Sequence, residues 1–295
     1  MSEDESRNFY LAGPEGGLVD RDEAPVATIR NGIGTSEALL VADHAGRAIP
    51  RKLGTLGLTD AQRSLHIACD IGIGMVTYGL SHLLDAPAVL AGYSRLVMDL
   101  NREPGGFGSF VEVSDGIEIP GNRGLTDEDR RLRKETLFDP YHLAITALIE
   151  TRNQLKWKTA LICLHSFTPE MDGFKRPWHI GVLWNGTFGG IAERLLKSLR
   201  GEPGLCVGDN EPYDARGDVG YTQRHHAVPV GMPNVLLETI ASGGSFVATR
   251  VGGIPEIADP VYDRLVTPND PVALATAIID RLDHSPPAGL PRRFE

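Results

Sequence analysis

The sequence predicts an α/β fold: a mostly parallel or mixed β-sheet with helices on both faces. Short apolar runs alternate along the chain with longer segments whose apolar residues recur at helical spacing. The apolar runs show no alternation with polar residues, which is typical of strands buried on both faces of a sheet. Polar residues follow several of these runs directly, and ligands of such sheets bind beyond the carboxyl ends of the strands. We therefore expect a functional site at that edge.

The apolar runs predict strands, and several of these strands are followed directly by a polar residue. The runs end at Asp43, Asp99, His165 and Glu238. In chain order they are EALLVADHAG, the two runs of APAVLAGYSRLVMDLNR, TALICLHSFTP, HIGVLWNG and PNVLLETI.

Three segments predict helices. TDAQRSLHIACDIGIGMVTYGLSHLLD has an N-cap at Thr59 or Asp60, and TDEDRRLRKETLFDPYHLAITALIETRNQLK is expected to break near Pro140. GGIAERLLKSLR is the third. The stretch EPGGFGSFVEVSDGIEIPGNRGL is rich in Gly, Pro and turn residues, and predicts a long functional loop or lid.

Composition narrows the class of protein. The 295 residues carry a net charge of -10, which disfavours a nucleic-acid or anionic-membrane partner. The three cysteines are far apart and form no CxxC motif, so we expect a reducing, cytoplasmic setting. Residues 1–25 read as a polar lead-in without the features of a signal peptide, and no run is long enough for a membrane span. The sequence leaves the oligomeric state open.

Two histidines at strand ends suggest a metal site. His44 and His165 each follow a buried run, and an imidazole there can bind Zn²⁺ together with a carboxylate and an open position. For the third ligand we prefer Asp70, which would share a helix face with His66. Asp43 and His66 remain alternatives, and Asp43 can instead hold a ligand histidine from behind.

Basic and amide side chains supply candidates for substrate binding. Arg95, Asn101 and Arg102 follow the Asp99 run, and a guanidinium matches a carboxylate with two hydrogen bonds. In YTQRHHA, Arg224 and His226 flank His225, and such a loop can bind a substrate carboxylate or stabilise an oxyanion. We expect the substrate to be a small molecule.

Glu238 is the candidate general base. A carboxylate close to an activated water can take its proton and pass it to the leaving group. Its position at the end of PNVLLE places it at the same edge as the histidines.

The motifs together resemble the N-formylglutamate amidohydrolase family. Over about residues 35–238 the matching pieces occur in family order: VADHAGRAIP, HIACDIGIG, YSRLVMDLNR, PGNRGL, LHSFTP, HIGVLWN, NEPYD and YTQRHHA...GMPNVLLE. The resemblance implies a zinc-carboxypeptidase-like fold, one Zn²⁺ per chain, and hydrolysis of an N-formyl or N-acyl amino acid. It further implies N-formylglutamate as substrate, a late step of histidine breakdown.

The resemblance also implies residue roles. In related zinc carboxypeptidases a His-x-x-Glu pair and a later His bind zinc, an Asn-Arg pair reads the substrate, and a late Glu is the base. His44, His165, the Asn101-Arg102 pair and Glu238 match these positions, so Glu238 and Arg102 are expected to act in catalysis. The chain departs from the pattern where Arg47 replaces the motif glutamate, which leaves the third ligand open.

The tail resembles a different family. From PNVLLE onward, about residues 233–283 are similar to the C-terminal nucleotide-sugar half of a GT-B glycosyltransferase. That family has two glutamates eight positions apart; Glu238 matches the second, but the first falls on Val230. We therefore do not expect glycosyl transfer. Within this tail SFVATR is expected to form a strand and DPVALATAIIDRLDH an amphipathic helix. The expected organisation is a hydrolase domain at 26–240 and an atypical tail at 241–295.

Three other functions stay open at this point. One is a related metallo-hydrolase or carboxypeptidase-like enzyme with another substrate. The second is a sugar-nucleotide-binding protein led by its tail, and the third is an inactive chimera.

Overall fold

The computed structural model describes residues 7–240 except 172, 186–188 and 217–219, together with 247–249 and 264–266. The chain divides into two compact units, Met1–Ala241 and Ser242–Glu295. In the second unit, β13 (Val247–Thr249) pairs in parallel with β14 (Arg264–Val266), which confirms the strand expected in SFVATR. The helix expected in DPVALATAIIDRLDH lies outside the described residues.

An eight-stranded mixed sheet forms the centre of the first unit. In spatial order the strands are β1 (Phe9–Leu11), β2 (Ala27–Arg30), β4 (Ala88–Ala91), β3 (Ala38–Ala42), β7 (Ala160–Phe167), β12 (Asn234–Ile240), β10 (Ile180–Leu183) and β11 (Val207–Asp209). Four neighbouring strands, β4, β3, β7 and β12, run parallel to one another, and the flanking strands include antiparallel pairs.

Helices cover both faces of this sheet, as predicted. The bounds are α1 (Asp60–Arg63), α2 (Ile73–Leu84), α3 (Asp127–Arg133), α4 (Asp139–Gln154), α5 (Gly189–Arg200) and α6 (Tyr221–His226). A π-helical turn at Lys134–Phe138 joins α3 to α4 just before Pro140. Two short hairpins, β5 (Val113–Ser114) with β6 (Ile117–Glu118) and β8 (Glu170–Met171) with β9 (Phe174–Lys175), lie between these elements.

The core consists of two apolar layers, one on each face of the sheet. Leu39 and Val41 of β3 pack in the layer that holds Tyr141 and Ile145 of α4. Their neighbours in the strand point the opposite way, into the layer that holds Ile73 of α2 together with part of α5. Because both faces are buried, the strands read as continuous apolar runs. No helix among the described residues is long and apolar enough to cross a bilayer.

Two local expectations were wrong. The helix predicted from Thr59 onward ends at Arg63 after one capped turn, and α2 begins only after Gly72, which has a positive φ of 80°. The run RLVMD is buried but forms turns rather than a strand. The polar lead-in contributes β1, the edge strand of the main sheet.

Candidate active site

The turn after β3 places Asp43 and His44 at the carboxyl edge of the sheet. The chain can turn there because Gly46 passes against the backbone of the next strand: a Cβ at this position would lie 2.2 Å from the carbonyl carbon of Gly92. Asp70 joins them from the segment before α2, where its backbone N–H donates to the carbonyl of His44 over 2.9 Å. The break between α1 and α2 therefore delivers Asp70, and the predicted helix face shared by Asp70 and His66 does not exist.

His165 and Glu238 come from neighbouring parallel strands in register. His165 of β7 lies directly opposite Glu238 of β12, so both side chains lie on the same face of the sheet. Both residues are buried. Asp43, His165 and Glu238 thus meet at one edge of the sheet, and Asp99 joins them from a turn, where its carboxylate lies 2.8 Å from Nε2 of His44.

His44, Asp70 and His165 form a buried group with the composition of a metal site. One candidate ligand atom from each residue lies within 4.8 Å of the others. The two imidazole rings meet edge to face with centroids 4.8 Å apart, and Nδ1 of His165 lies 2.9 Å from a carboxylate oxygen of Asp70. Two imidazoles and one carboxylate are the ligand set of many catalytic zinc sites.

The hydrogen bonds of the two histidines leave ring nitrogens without a partner, as a metal site requires. Nε2 of His44 pairs with Asp99 at 2.8 Å, while its Nδ1 has no hydrogen-bond partner although it is buried. Nε2 of His165 lies 3.5 Å from Asp43. Asp99 fixes the tautomer of His44 and raises its basicity, as is usual for metal-bound imidazoles, while Asp43 faces Nε2 of His165 at ion-pair distance without a hydrogen bond. His66 lies elsewhere, 3.5 Å from Asp115.

Opposite charges within the group shift the pKa values of its members. Burial by itself would lower the pKa of His165, but the Asp43 and Asp70 carboxylates outweigh burial and raise it to about 10. The positive charge of the two histidines in turn holds the pKa of Asp70 well below its usual range, against burial. The group therefore pairs two imidazoles with buried carboxylates, and each shifts the pKa of the other.

Asp43 is fixed by donors from two helices. Its Oδ1 accepts from Tyr141 of α4 and from Thr222 of α6, each over 2.8 Å. Burial would raise the pKa of this carboxyl, but hydrogen bonding and the charge of His165 lower it. Asp43 is therefore held as an anion behind His165, which fits the second of the two roles considered for it.

Glu238 is a buried carboxyl with one free oxygen. Its Oε2 has no hydrogen-bond partner among the described residues. Burial raises the pKa of Glu238 to about 7, with His165 acting in the opposite direction. A carboxyl group with such a pKa can both take and give a proton near neutrality.

Among the predicted substrate-binding residues, Arg95 and Asn101 are held by hydrogen bonds within the protein, whereas Arg102 is exposed. Arg95 lies in the cluster, where Nη2 donates to Asp99 over 2.6 Å and Nη1 is 3.5 Å from Asp70. Asn101 accepts from the backbone N–H of Thr222, close to Gly220, where any Cβ would collide with the Asn101 amide. Arg102 is exposed and has no ion pair within the described part of the chain.

The YTQRHHA segment folds as α6 and packs behind these residues. Arg224 lies 3.5 Å from Glu103 on the surface. His226 is buried, and its Nε2 pairs with Nδ1 of His142 at 2.9 Å. Nε2 of His142 donates to the carbonyl of Leu100, so the pair supports the backbone that leads into Asn101.

Sequence reasoning missed three residues around the site: Tyr141, His142 and Arg176. Tyr141 and His142 lie on α4, where the sequence indicated an ordinary helix with a buried face. The sequence signal available for Tyr141 was that a buried aromatic hydroxyl needs a hydrogen-bond partner. Arg176 follows the β8–β9 hairpin and is 9% exposed.

Comparisons with known proteins agree with this geometry. The family model for N-formylglutamate amidohydrolase matches residues 36–242. The chain belongs to the N-formylglutamate amidohydrolase family. A second family model, for glycosyl transferases group 1, matches residues 222–284. The comparison with curated protein sequences yields no match.

Two solved structures resemble this amidohydrolase. The gene product Atu2144 from Agrobacterium tumefaciens is 34% identical, with a TM-score of 0.72 over 76% of this chain and 88% of the other. N-formylglutamate amidohydrolase from Ralstonia eutropha JMP134 is 19% identical, with a TM-score of 0.55 over 70% of this chain and 82% of the other, and shows the shared fold.

Proposed function

We propose that this amidohydrolase is zinc-dependent and hydrolyses the amide bond of an N-formyl or N-acyl amino acid, with N-formylglutamate as its substrate. The observation that carries the proposal is the buried group of His44, Asp70 and His165 beside the unpartnered carboxyl of Glu238. Family membership supports the reaction class.

The three ligand residues would hold the ion, and Asp99 and Asp43 would orient the histidines. When bound, zinc acts as a Lewis acid that polarises the amide carbonyl and makes water a stronger nucleophile. Nδ1 of His44 is the nitrogen left open for the ion, because Asp99 already engages Nε2. Asp70 supplies the carboxylate that the Arg47 position lacks.

Glu238 performs the proton transfers. Its carboxylate takes a proton from the attacking water and then delivers that proton to the nitrogen of the leaving amine, which departs as the amino acid. A pKa of about 7 suits both steps, since the group is present in both forms near neutral pH. The products of N-formylglutamate are formate and glutamate.

Arg102 and Asn101 bind the α-carboxylate of the substrate. Arg102 is exposed and has no ion pair among the described residues, so its guanidinium is open to an anion. The amide of Asn101 is held by α6 and fixes the adjacent backbone. Arg95 lies within the cluster and contributes positive charge, while Arg224 and His226 border the substrate region from α6.

The proposed domain organisation assigns the reaction to residues 26–240 and leaves 241–295 as a tail without a part in the chemistry. The complete ligand group and Glu238 lie in the first compact unit, which supports this division. We propose a small-molecule substrate, a cytoplasmic location suited to three free cysteines, and a role in histidine breakdown.

The direct test is formate release from N-formylglutamate by the full chain. We expect turnover with zinc, loss of turnover with a chelator, and recovery when zinc is returned. N-acetylglutamate and a dipeptide, which represents a carboxypeptidase substrate, are tested as alternative substrates. Faster hydrolysis of either of them would reassign the substrate, and turnover that a chelator does not affect would contradict the role of the metal.

A further inference from the structure

Arg176 is a buried cation beside the active site that the proposed mechanism does not use. Its guanidinium stacks on the rings of Phe167 and Tyr213, at 5.6 Å and 5.0 Å from their centroids. Nη2 donates to the hydroxyl of Tyr213 over 2.9 Å, and Nη1 donates to the carbonyl of Thr168 over 3.3 Å. These contacts hold the guanidinium plane in one orientation.

The register of β7 places this guanidinium close to the proposed metal group. Phe167 and His165 are two residues apart in the strand, so their side chains lie on the same face, about 7 Å apart along it. Glu238 lies opposite His165 on β12. The charge of Arg176 reaches that carboxyl: it acts to lower the pKa of Glu238, against the larger effect of burial.

Within the described residues, the side-chain contacts of Arg176 are to neutral groups. The two aromatic rings, a carbonyl, a hydroxyl and the sulfur of Met171 surround it, and no carboxylate of the described residues lies within 4.0 Å. Arg95, by contrast, pairs with Asp99. A buried charge without a partner is costly, so an oriented guanidinium with neutral neighbours is prepared for an anionic ligand.

We propose that Arg176 selects substrates with an acidic side chain by binding the side-chain carboxylate. The assignment rests on the proposed function, in which Arg102 and Asn101 take the α-carboxylate. The two arginines then hold the two carboxylates of one N-acyl dicarboxylic amino acid. A neutral side chain would leave the Arg176 charge unpaired.

The test compares N-formylglutamate with N-formylglutamine, its neutral isostere, on the zinc-loaded full chain. We expect Arg176→Gln to lower kcat/KM for N-formylglutamate between about 10-fold and 150-fold, the range for a hydrogen-bonded charge pair. For N-formylglutamine we expect less than about 3-fold change. Arg176→Lys should retain part of the preference, because it keeps the charge but loses the planar fork.

Arg194→Gln on the exposed face of α5 is the matched control, since it removes one positive charge away from the site. It should leave both substrates unchanged. Equal losses for both substrates in Arg176→Gln would show a structural role and overturn the proposal, as would a wild-type enzyme that does not prefer the acid.

A binding measurement separates this proposal from the proposed function. We expect the zinc-loaded chain to bind glutarate at least about 10-fold more tightly than its monoamide, and Arg176→Gln to abolish that difference. If the wild type prefers glutarate and Arg176→Gln loses that preference, but the wild type shows no turnover, only the proposed reaction is contradicted. Equal binding of the two probes by the wild type would overturn the role of Arg176 whether or not the enzyme is active.

Discussion

Replacing Tyr141 with phenylalanine removes a single hydroxyl that is separated from the proposed ion by two residues, Asp43 and His165. Tyr141 is fully buried, and its hydroxyl supplies one of two side-chain donors to Oδ1 of Asp43, the other being Thr222. A hydrogen bond to a charged acceptor contributes about 1.5–3 kcal/mol. We therefore expect the Tyr141→Phe variant to lose about 2 kcal/mol in its free energy of unfolding, measured by urea denaturation with a chelator present.

The same substitution should weaken zinc binding. Asp43 holds His165 from behind, and changes to such supporting groups typically cost 10- to 100-fold in metal affinity. Zinc affinity is measured by competition with a chromophoric chelator. Tyr93→Phe is the matched control, because Tyr93 is also buried but donates to the neutral carbonyl of Ala24.

The control should lose only about 1 kcal/mol and keep its zinc affinity, since a neutral hydrogen bond contributes less than a charged one. If Tyr141→Phe costs no more than Tyr93→Phe and binds zinc as the wild type does, Asp43 is not a supporting anion for His165. The description of the site would then have to be revised.

Three further predictions follow from the site and its surroundings. Glu238→Gln should keep its zinc but lose about 100- to 10,000-fold in kcat, because it can no longer transfer protons; simultaneous loss of the metal would contradict its role as a base. Burial lowers the pKa of His142 to about 4, so the neutral form stabilises the fold above pH 6.5 and this contribution is lost as the pH falls towards 4. The stability difference between wild type and His142→Gln should shrink by about 3 kcal/mol over that window, and a constant difference would argue against a neutral buried imidazole. A chain truncated after Ala241 should fold and retain turnover, as the complete site lies in the first unit; an unfolded product would show that the tail is required.

The meeting of Asp43, His44, His165 and Glu238 was predictable from the sequence for a physical reason. Parallel strands buried on both faces read as apolar runs, and their carboxyl ends lie at one edge of the sheet. The polar residue that ends each run is therefore at that edge whatever the detailed packing.

Asp70 lies beside His44 and His165 for a different structural reason from the predicted one. Apolar residues at helical spacing continue through the segment 64–72, but Ser64 caps α1, and the left-handed conformation of Gly72 begins a new helix. Asp70 reaches the site from the turn between the helices. The run RLVMD was mistaken for a strand because burial alone makes a segment apolar, with or without a ladder of hydrogen bonds.

The supporting residues could not be predicted because their contacts join distant parts of the chain. Tyr141 is 98 positions from Asp43, and His142 is 84 positions from His226. Arg176 reads in the sequence as one more surface arginine. Its burial becomes visible only when the β8–β9 hairpin places it against Phe167 and Tyr213.

The central claim is that His44, Asp70 and His165 hold one zinc ion, and metal content tests it most directly. The full-length wild type and three variants, His44→Ala, Asp70→Ala and His66→Ala, are loaded with zinc, dialysed and measured for bound metal. We predict about one zinc per chain in the wild type and in His66→Ala, because His66 lies against Asp115, away from the ligand group. His44→Ala and Asp70→Ala should lose the metal while keeping the fold. Retention of zinc by both of these variants, or its loss from His66→Ala, would contradict the account.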